Sequence, residues 1–323
     1  MSDLVNNEDV SVAESTPEKV YLLPCRCMYT QYWKQICLMY GGNIMDRTNT
    51  MSFGDFKYKT LTPIPELRPI TKTFEQICDE RVEELTNLAV GSNGNLVVMW
   101  SGGIDSTTAL VSILKNERAR GRLKVLLNKK SIGEYPYFYF NFIKDKLNYQ
   151  IVEDPKRFMN SSDVNITGEI GDQLFGSAAF YDAYNAGALF KPYKEFYSPV
   201  FVSLLEEQFA KCPVPLTTTA EAMWWVNFSM KYQNVQLRIY PSVLLSWGSV
   251  VHFFDTEDFQ LWSMNNPDKK IKDDLKSYKF TAKDVIYEYT KDSNYRDYKE
   301  KVGSLKIGPT KFSIDENWRY DIC

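Results

Sequence analysis

The sequence predicts an α/β fold: a parallel sheet flanked by helices, with a mainly helical C-terminal half and a small N-terminal unit. Three observations predict it. Leu96-Val97-Val98-Met99-Trp100 is a continuous apolar run, the pattern of a strand buried on both faces. It ends in Ser101-Gly102-Gly103 and passes into helical periodicity at Leu110, Ile113 and Leu114. Further short apolar runs then alternate with helical patterns, as in a right-handed parallel sheet.

Residues 1–18 are polar and acidic and predict a flexible tail, because they offer too little apolar surface to offset the entropy of ordering. Residues 19–65 form the small unit, irregular or β-rich, with Gly41-Gly42 and the polar stretch 46–49 interrupting its aromatic and apolar residues. Pro63, Pro65 and Pro69 make a stiff connector into a domain spanning 66–323. Its first helix is expected over 73–90, with Phe74, Ile77, Val82, Leu85 and Leu88 at helical spacing, followed by a turn at 91–95. After the Gly pair come a helix to Lys115, a charged turn at 118–122, a strand at 124–127, a helix at 136–147, and strands at 149–153 and 164–167. Beyond Ser177 long helices are expected at 198–211, 217–231 and 281–290, with Met223, Trp224, Trp225, Val226, Phe228 and Met230 as core.

The composition, 44% hydrophobic and 24% charged over 323 residues, excludes disorder as the main state. A net charge of -3 provides no broad cationic field, which argues against nucleic acid and anionic membranes as partners, a local basic patch aside. Cys25, Cys27, Cys37, Cys78, Cys212 and Cys323 include no Cys-x-x-Cys pair, and with one His in the chain they predict reduced thiols rather than a zinc site. Without an apolar leader or a run long enough to span a bilayer, a cytoplasmic location is expected.

A strand ending in Ser101-Gly102-Gly103 and leading straight into a helix presents backbone amides and the positive helix end to an anion. Two glycines allow close backbone approach and positive φ, and Ser101, Ser106, Thr107 and Thr108 add hydroxyls. Asp105 suits a phosphate neighbour only with a cation between them, and Mg2+ supplies one. The Walker lysine is absent. A lone Gly-Gly would read as a tight turn, but the flanking strand, helix, Asp and hydroxyls favour a phosphate site.

The segment Ser101-Gly102-Gly103-Ile104-Asp105-Ser106 resembles the Ser-Gly-Gly-x-Asp-Ser loop of the N-type ATP pyrophosphatases (PP-loop family) at every fixed position. The resemblance implies an adenine nucleotide alpha hydrolase-like sheet and cleavage of ATP to AMP and pyrophosphate. Ser101, Gly102, Gly103, Asp105, Ser106 and Gly168 then fall to nucleotide binding.

A second Gly-containing loop follows the short run at 164–167, and Glu169 and Asp172 stand three residues apart on it. Alone, it fits either a carboxylate pair for a metal and a proton or a solvated loop with Asp172 as a helix cap. With the first loop it resembles the asparagine synthetase and β-lactam synthetase branch, keeping Gly168, Glu169, Asp172, Leu174, Phe175 and Gly176 and departing at Thr167, Ile170, Gln173, Ser177 and Ala178. That resemblance implies that Asp105 and Asp172 share Mg2+, and that Glu169 takes the proton of the incoming amine. The stretch 251–255 is weakly similar to a third family segment, with His252 as a rim or core residue. Lys301, and after it Lys279, fall where the family places phosphate-contacting lysines.

The family's glutaminase domain begins with Cys after Met1. Here Ser2 follows Met1 and only 100 residues precede the loop, so glutamine hydrolysis is not expected. What the resemblance implies is an ATP-dependent amide ligase: it adenylates a carboxylate, aspartate by default, and passes the acyl group to an amine or to ammonia, free or from a supplying partner. Two alternatives stand beside it, a PP-loop enzyme modifying a nucleobase or tRNA and a degenerate ATP-binding scaffold.

Overall fold

The computed structural model describes residues 44–50, 59–176, 179–239 and 249–300, together with the backbone of 312–314 and 320–322. Its centre is a five-stranded parallel sheet built from β1 (Leu96–Met99), β2 (Leu123–Leu127), β3 (Tyr149–Ile151), β4 (Val164–Thr167) and β5 (Val250–His252), in the order β3-β2-β1-β4-β5. Val98 pairs with Val125 on one side and Ile166 on the other, all three fully buried. That two-sided burial is why β1 reads as an unbroken apolar run. From β1 the chain steps outward to β2 and β3, then returns to the other side for β4 and β5. The order therefore reverses between β1 and β4, and loops leaving the C-terminal ends of these two strands share one crevice. A separate antiparallel ribbon joins β6 (Phe312–Ile314) to β7 (Tyr320–Ile322).

Helices cover the sheet. The first, α1 (Phe74–Gly91), begins at a capping box in which the Thr73 hydroxyl accepts from Gln76 N–H and the Gln76 side chain accepts from Thr73 N–H. Its core face is Phe74, Ile77, Val82, Leu85 and Ala89; Leu88, expected on that face, is 49% exposed. Between β1 and β2 runs α2 (Ile104–Lys115), most of its residues buried because it is sandwiched by α1 and a later helix, α6 (Phe280–Thr290). After β2 comes α3 (Lys129–Glu134), capped by Asn128. The C-terminal part is largely helical.

Several expected boundaries shift for local reasons. The charged turn at 118–122 is a one-turn helix, Glu117–Arg120, because the Asn116 side chain accepts from Ala119 N–H and starts it. The helix expected at 136–147 is an α-turn, Pro136–Phe138, widening into a π-turn, Tyr139–Ile143, and ending before Asp145, which takes a positive φ of 59°. The helix expected at 198–211 divides at Leu205 into Pro199–Leu204 and Glu206–Ala210. That at 217–231 is α5 (Thr219–Val226), opened by a Thr218–Glu221 capping box, followed by a π-turn at Asn227–Lys231. β5 has only three residues, too few for a periodic signal.

The π-turn matters for what docks there. Carbonyls of Ser229 and Met230 accept from the N–H groups of Arg47 and Met45, at 2.9 and 2.8 Å, and Arg47 buries its guanidinium against Gln260 Oε1 at 2.8 Å. Residues 44–50 of the N-terminal stretch thus lie on the helical half; the tail at 1–18 lies outside the described residues. The aromatic run is core as expected, with Trp225 Nε1 donating to Gln208 O at 2.9 Å and Trp224 Nε1 to Ser263 Oγ at 3.0 Å. Cys78 and Cys212 are free thiols, and among the described residues no helix is long and apolar enough to cross a membrane.

Arg81 on α1 anchors the end of β5. It is buried and donates from Nε to Phe253 O at 3.1 Å and from a terminal nitrogen to His252 O at 3.0 Å. Arg81→Leu strands both carbonyls, and urea unfolding should register a loss of about 2–3 kcal/mol.

Candidate functional site

Two loops meet at the switch point. The first, residues 101–103, leaves β1 and enters α2, whose N-cap is Gly103 with no side-chain cap. Its hydroxyls bond within the loop. Ser101 Oγ lies 2.8 Å from Ser106 Oγ, Ser101 N–H donates to Ser106 Oγ at 3.0 Å, and Gly103 N–H donates to Ser101 Oγ at 3.3 Å. The two serines therefore fix the loop's shape. Thr107 and Thr108 are not the ligand donors expected of them: both are fully buried, Thr107 accepting from Trp100 Nε1 at 3.0 Å and Thr108 donating to Ile104 O at 2.9 Å. Their hydroxyls satisfy the fold because the helix turns those positions inward.

Gly102 takes φ +80°, and a Cβ there would overlap Ser131 O and come within 2.7 Å of Glu134 Cβ, both on α3. Glycine is required on both counts. From the other side Tyr295 of α7 (Ser293–Tyr298) reaches Gly102 O at 3.4 Å and stacks on Tyr135 at 3.8 Å. Lys299 pairs with Glu134 beside this loop.

The second loop leaves β4 and enters α4 (Gly171–Phe175). A Cβ on Gly168 would stand 2.7 Å from Ser106 N, so this glycine brings one loop directly onto the other. Gly171 does the same against the Asp105 carboxylate, which a Cβ there would overlap. Between them Ile170 adopts φ +76°, a strained conformation for a β-branched residue. The strain turns the chain sharply enough to present both acidic residues of this loop.

Asp105 and Asp172 converge on one ammonium. Lys279 Nζ lies 2.6 Å from each Asp105 oxygen and 2.7 Å from Asp172 Oδ1. Lys279 is 2% exposed, stands at the N-cap of α6 with φ +60°, and is held by a hydrogen bond from its N–H to Lys270 O at 2.8 Å. Burial alone would lower its pKa, but the Asp105 and Asp172 charges outweigh burial and raise it above the ordinary lysine value. Burial, with Asp172 and Asp105 nearby, pushes the neighbouring Tyr278 phenol well above its usual value.

Glu169 stands apart from that trio. Its carboxylate pairs with Arg238, which follows the helix Tyr232–Leu237. Glu169 N–H donates to Thr167 Oγ1 at 3.2 Å, and Thr167 Oγ1 lies 2.6 Å from His252 Nδ1. His252 Nε2 is 2.8 Å from Gln236 O, which only accepts, so Nε2 carries the hydrogen and Thr167 donates to Nδ1. His252 is a buried core residue linking β4, β5 and the segment that carries Arg238.

Of the expected site residues, the structure brings together Ser101, Gly102, Gly103, Asp105, Ser106, Gly168, Asp172 and Lys279, with Glu169 on the same loop. Lys301 lies outside the described residues. Arg238, Glu134 and Tyr295 were not read as site residues from the sequence. No local signal marks Arg238, which stands 69 positions from its partner. Compared with known proteins, the chain matches no protein-family model and no curated protein.

Lys283, one turn after Lys279, is buried and donates to Lys276 O and, at 3.2 Å, to Lys299 O. Burial lowers its pKa to about 8, against the opposing pull of Asp274 and other carboxylates. Between pH 8 and the ordinary lysine value the unfolded chain binds the extra proton, so this group makes stability rise with pH across that window. Chemical denaturation from pH 7.5 to 10.5 should show that contribution in the wild type and not in Lys283→Met. A second outcome concerns the close approach of the loops: Gly171→Ala should lower the melting temperature by several degrees by displacing Asp105.

Proposed function

We propose that this chain is an ATP-dependent amide ligase of the asparagine synthetase type, without glutaminase chemistry. The observation that carries this reading is the meeting, at the switch point of a parallel sheet, of an uncapped Gly-rich helix N-terminus with Asp105, Asp172 and Lys279. Amides at the N-terminus of α2 suit the phosphates of ATP, and Gly102 and Gly103 let them approach. Asp105 and Asp172 fit Mg2+: they are hard oxygen ligands already gathered around a single cationic position. Such an ion would offset the charge of the triphosphate.

In the first step the substrate carboxylate attacks the α-phosphorus, the bond to the bridging oxygen of the β-phosphate breaks, and pyrophosphate leaves. The chain's part is alignment and charge: the amides at the start of α2 hold the phosphates in line, and Lys279 supplies positive charge beside them. In the second step an amine, ammonia in the simplest case, attacks the acyl carbon and AMP leaves. Glu169 accepts the amine's proton, and Arg238 holds that carboxylate at the mouth of the crevice. Aspartate is the default acid. An ammonia-supplying partner fits a chain that does not hydrolyse glutamine, and reduced thiols fit a cytoplasmic enzyme.

The direct test is pyrophosphate release from ATP, Mg2+, ammonium and a panel of carboxylic acids. Release that requires one acid supports the reading; no release with any acid, despite nucleotide binding, points to an ATP-binding scaffold. Asp105→Asn should reduce AMP formation by about a hundredfold or more with the fold retained by circular dichroism. Glu169→Gln should keep acid-dependent pyrophosphate release but slow amide formation ~10²-fold or more, and equal loss of both steps would assign Glu169 another role.

A further inference from the structure

The two carboxylates expected to take a metal ion already hold a cation, and it is part of the chain. Lys279 Nζ makes three contacts of 2.6–2.7 Å with them, closer than a solvated ion pair requires, and the lysine is almost wholly enclosed. It sits there because the backbone puts it there: Lys279 takes a left-handed conformation at the start of α6, and α6 packs along α2, which carries Asp105. The Tyr278 and Phe175 rings lie 5.5 and 5.9 Å from Nζ. These walls leave the ammonium two carboxylates to face.

We infer that Lys279 is a tethered counter-ion that competes with a divalent cation for Asp105 and Asp172. This rests on the proposed function only in taking these aspartates as the metal's ligands. Two negative charges facing each other across a partly enclosed space need a positive one between them. With Lys279 in place the trio carries one net negative charge; with Lys279 withdrawn it carries two, and the attraction for a divalent ion rises accordingly. Lys279 therefore keeps the loops assembled and discourages metal binding without nucleotide. Triphosphate brings further negative charge, toward which the ammonium can turn when it gives up the carboxylates. The lysine then serves two positions in succession, and metal and nucleotide bind together rather than metal first.

The experiment measures Mn2+ binding to the full chain without nucleotide, from the paramagnetic resonance signal of the free ion. Lys279→Met, similar in length and uncharged, should bind Mn2+ at least ~10-fold more tightly than the wild type, and Lys279→Arg should stay as weak as the wild type. Adding Asp172→Asn to Lys279→Met should remove the gain. Equal affinities in wild type and Lys279→Met, or a gain that survives Asp172→Asn, would overturn the inference. Should Lys279→Met not fold, the wild type still decides: amine-reactive labelling read by mass spectrometry should find Lys279 protected in the free protein and labelled faster at saturating Mn2+, and unchanged protection overturns the idea. Neither readout needs turnover. Pyrophosphate release without the metal effect would sink this inference and leave the ligase reading standing; the metal effect without pyrophosphate release would do the reverse.

Discussion

One buried ammonium between two carboxylates holds the centre of this protein together. At 2.6–2.7 Å the attraction of Lys279 to each of the two carboxylates is on the order of 6 kcal/mol at an effective dielectric constant of ~20. Removing these groups from water costs several kcal/mol per ion, so the trio contributes little net stability. Its effect is geometric. It ties the loop after β1, the loop after β4 and the start of α6 to one point, and those three segments are separated by some of the longest stretches of the chain.

The surrounding residues serve that convergence. Glycine stands at 168 and 171 because the loops touch there, and at 102 because α3 presses on a backbone of positive φ. Ile170 accepts a left-handed conformation for the same turn. The serines at 101 and 106 hydrogen-bond each other and accept from the N–H groups of Ser101 and Gly103, which stiffens the loop. The backbone of both loops is thus held by contacts within the chain, which lowers the cost of ordering it on binding.

Glu169 and Arg238 form the second, more open polar pair at the same edge of the sheet, with Glu169 positioned through Thr167 and His252. The two pairs differ in their cations: Lys279 is 2% exposed and Arg238 39%, whereas the carboxylates of Asp105, Glu169 and Asp172 are alike at 23, 28 and 30%.

The sequence by itself determined the parallel α/β core and the two loops. Unbroken apolar runs are dictated by burial on both faces, and a Gly pair between strand and helix admits few conformations. It also named Asp105, Asp172 and Lys279 individually, the first from its place beside a Gly-rich strand-to-helix loop and the others through family resemblance. Only the tertiary structure decided that these three touch, that Lys279 stands in the cation position, that Thr107 and Thr108 are spent on the core, and that Arg238 meets Glu169. The physical reason is that each of these facts depends on packing between segments distant in sequence: α6 against α2, and the end of the helix Tyr232–Leu237 against the loop after β4. Local pattern records which face of a segment is buried; it does not record against what.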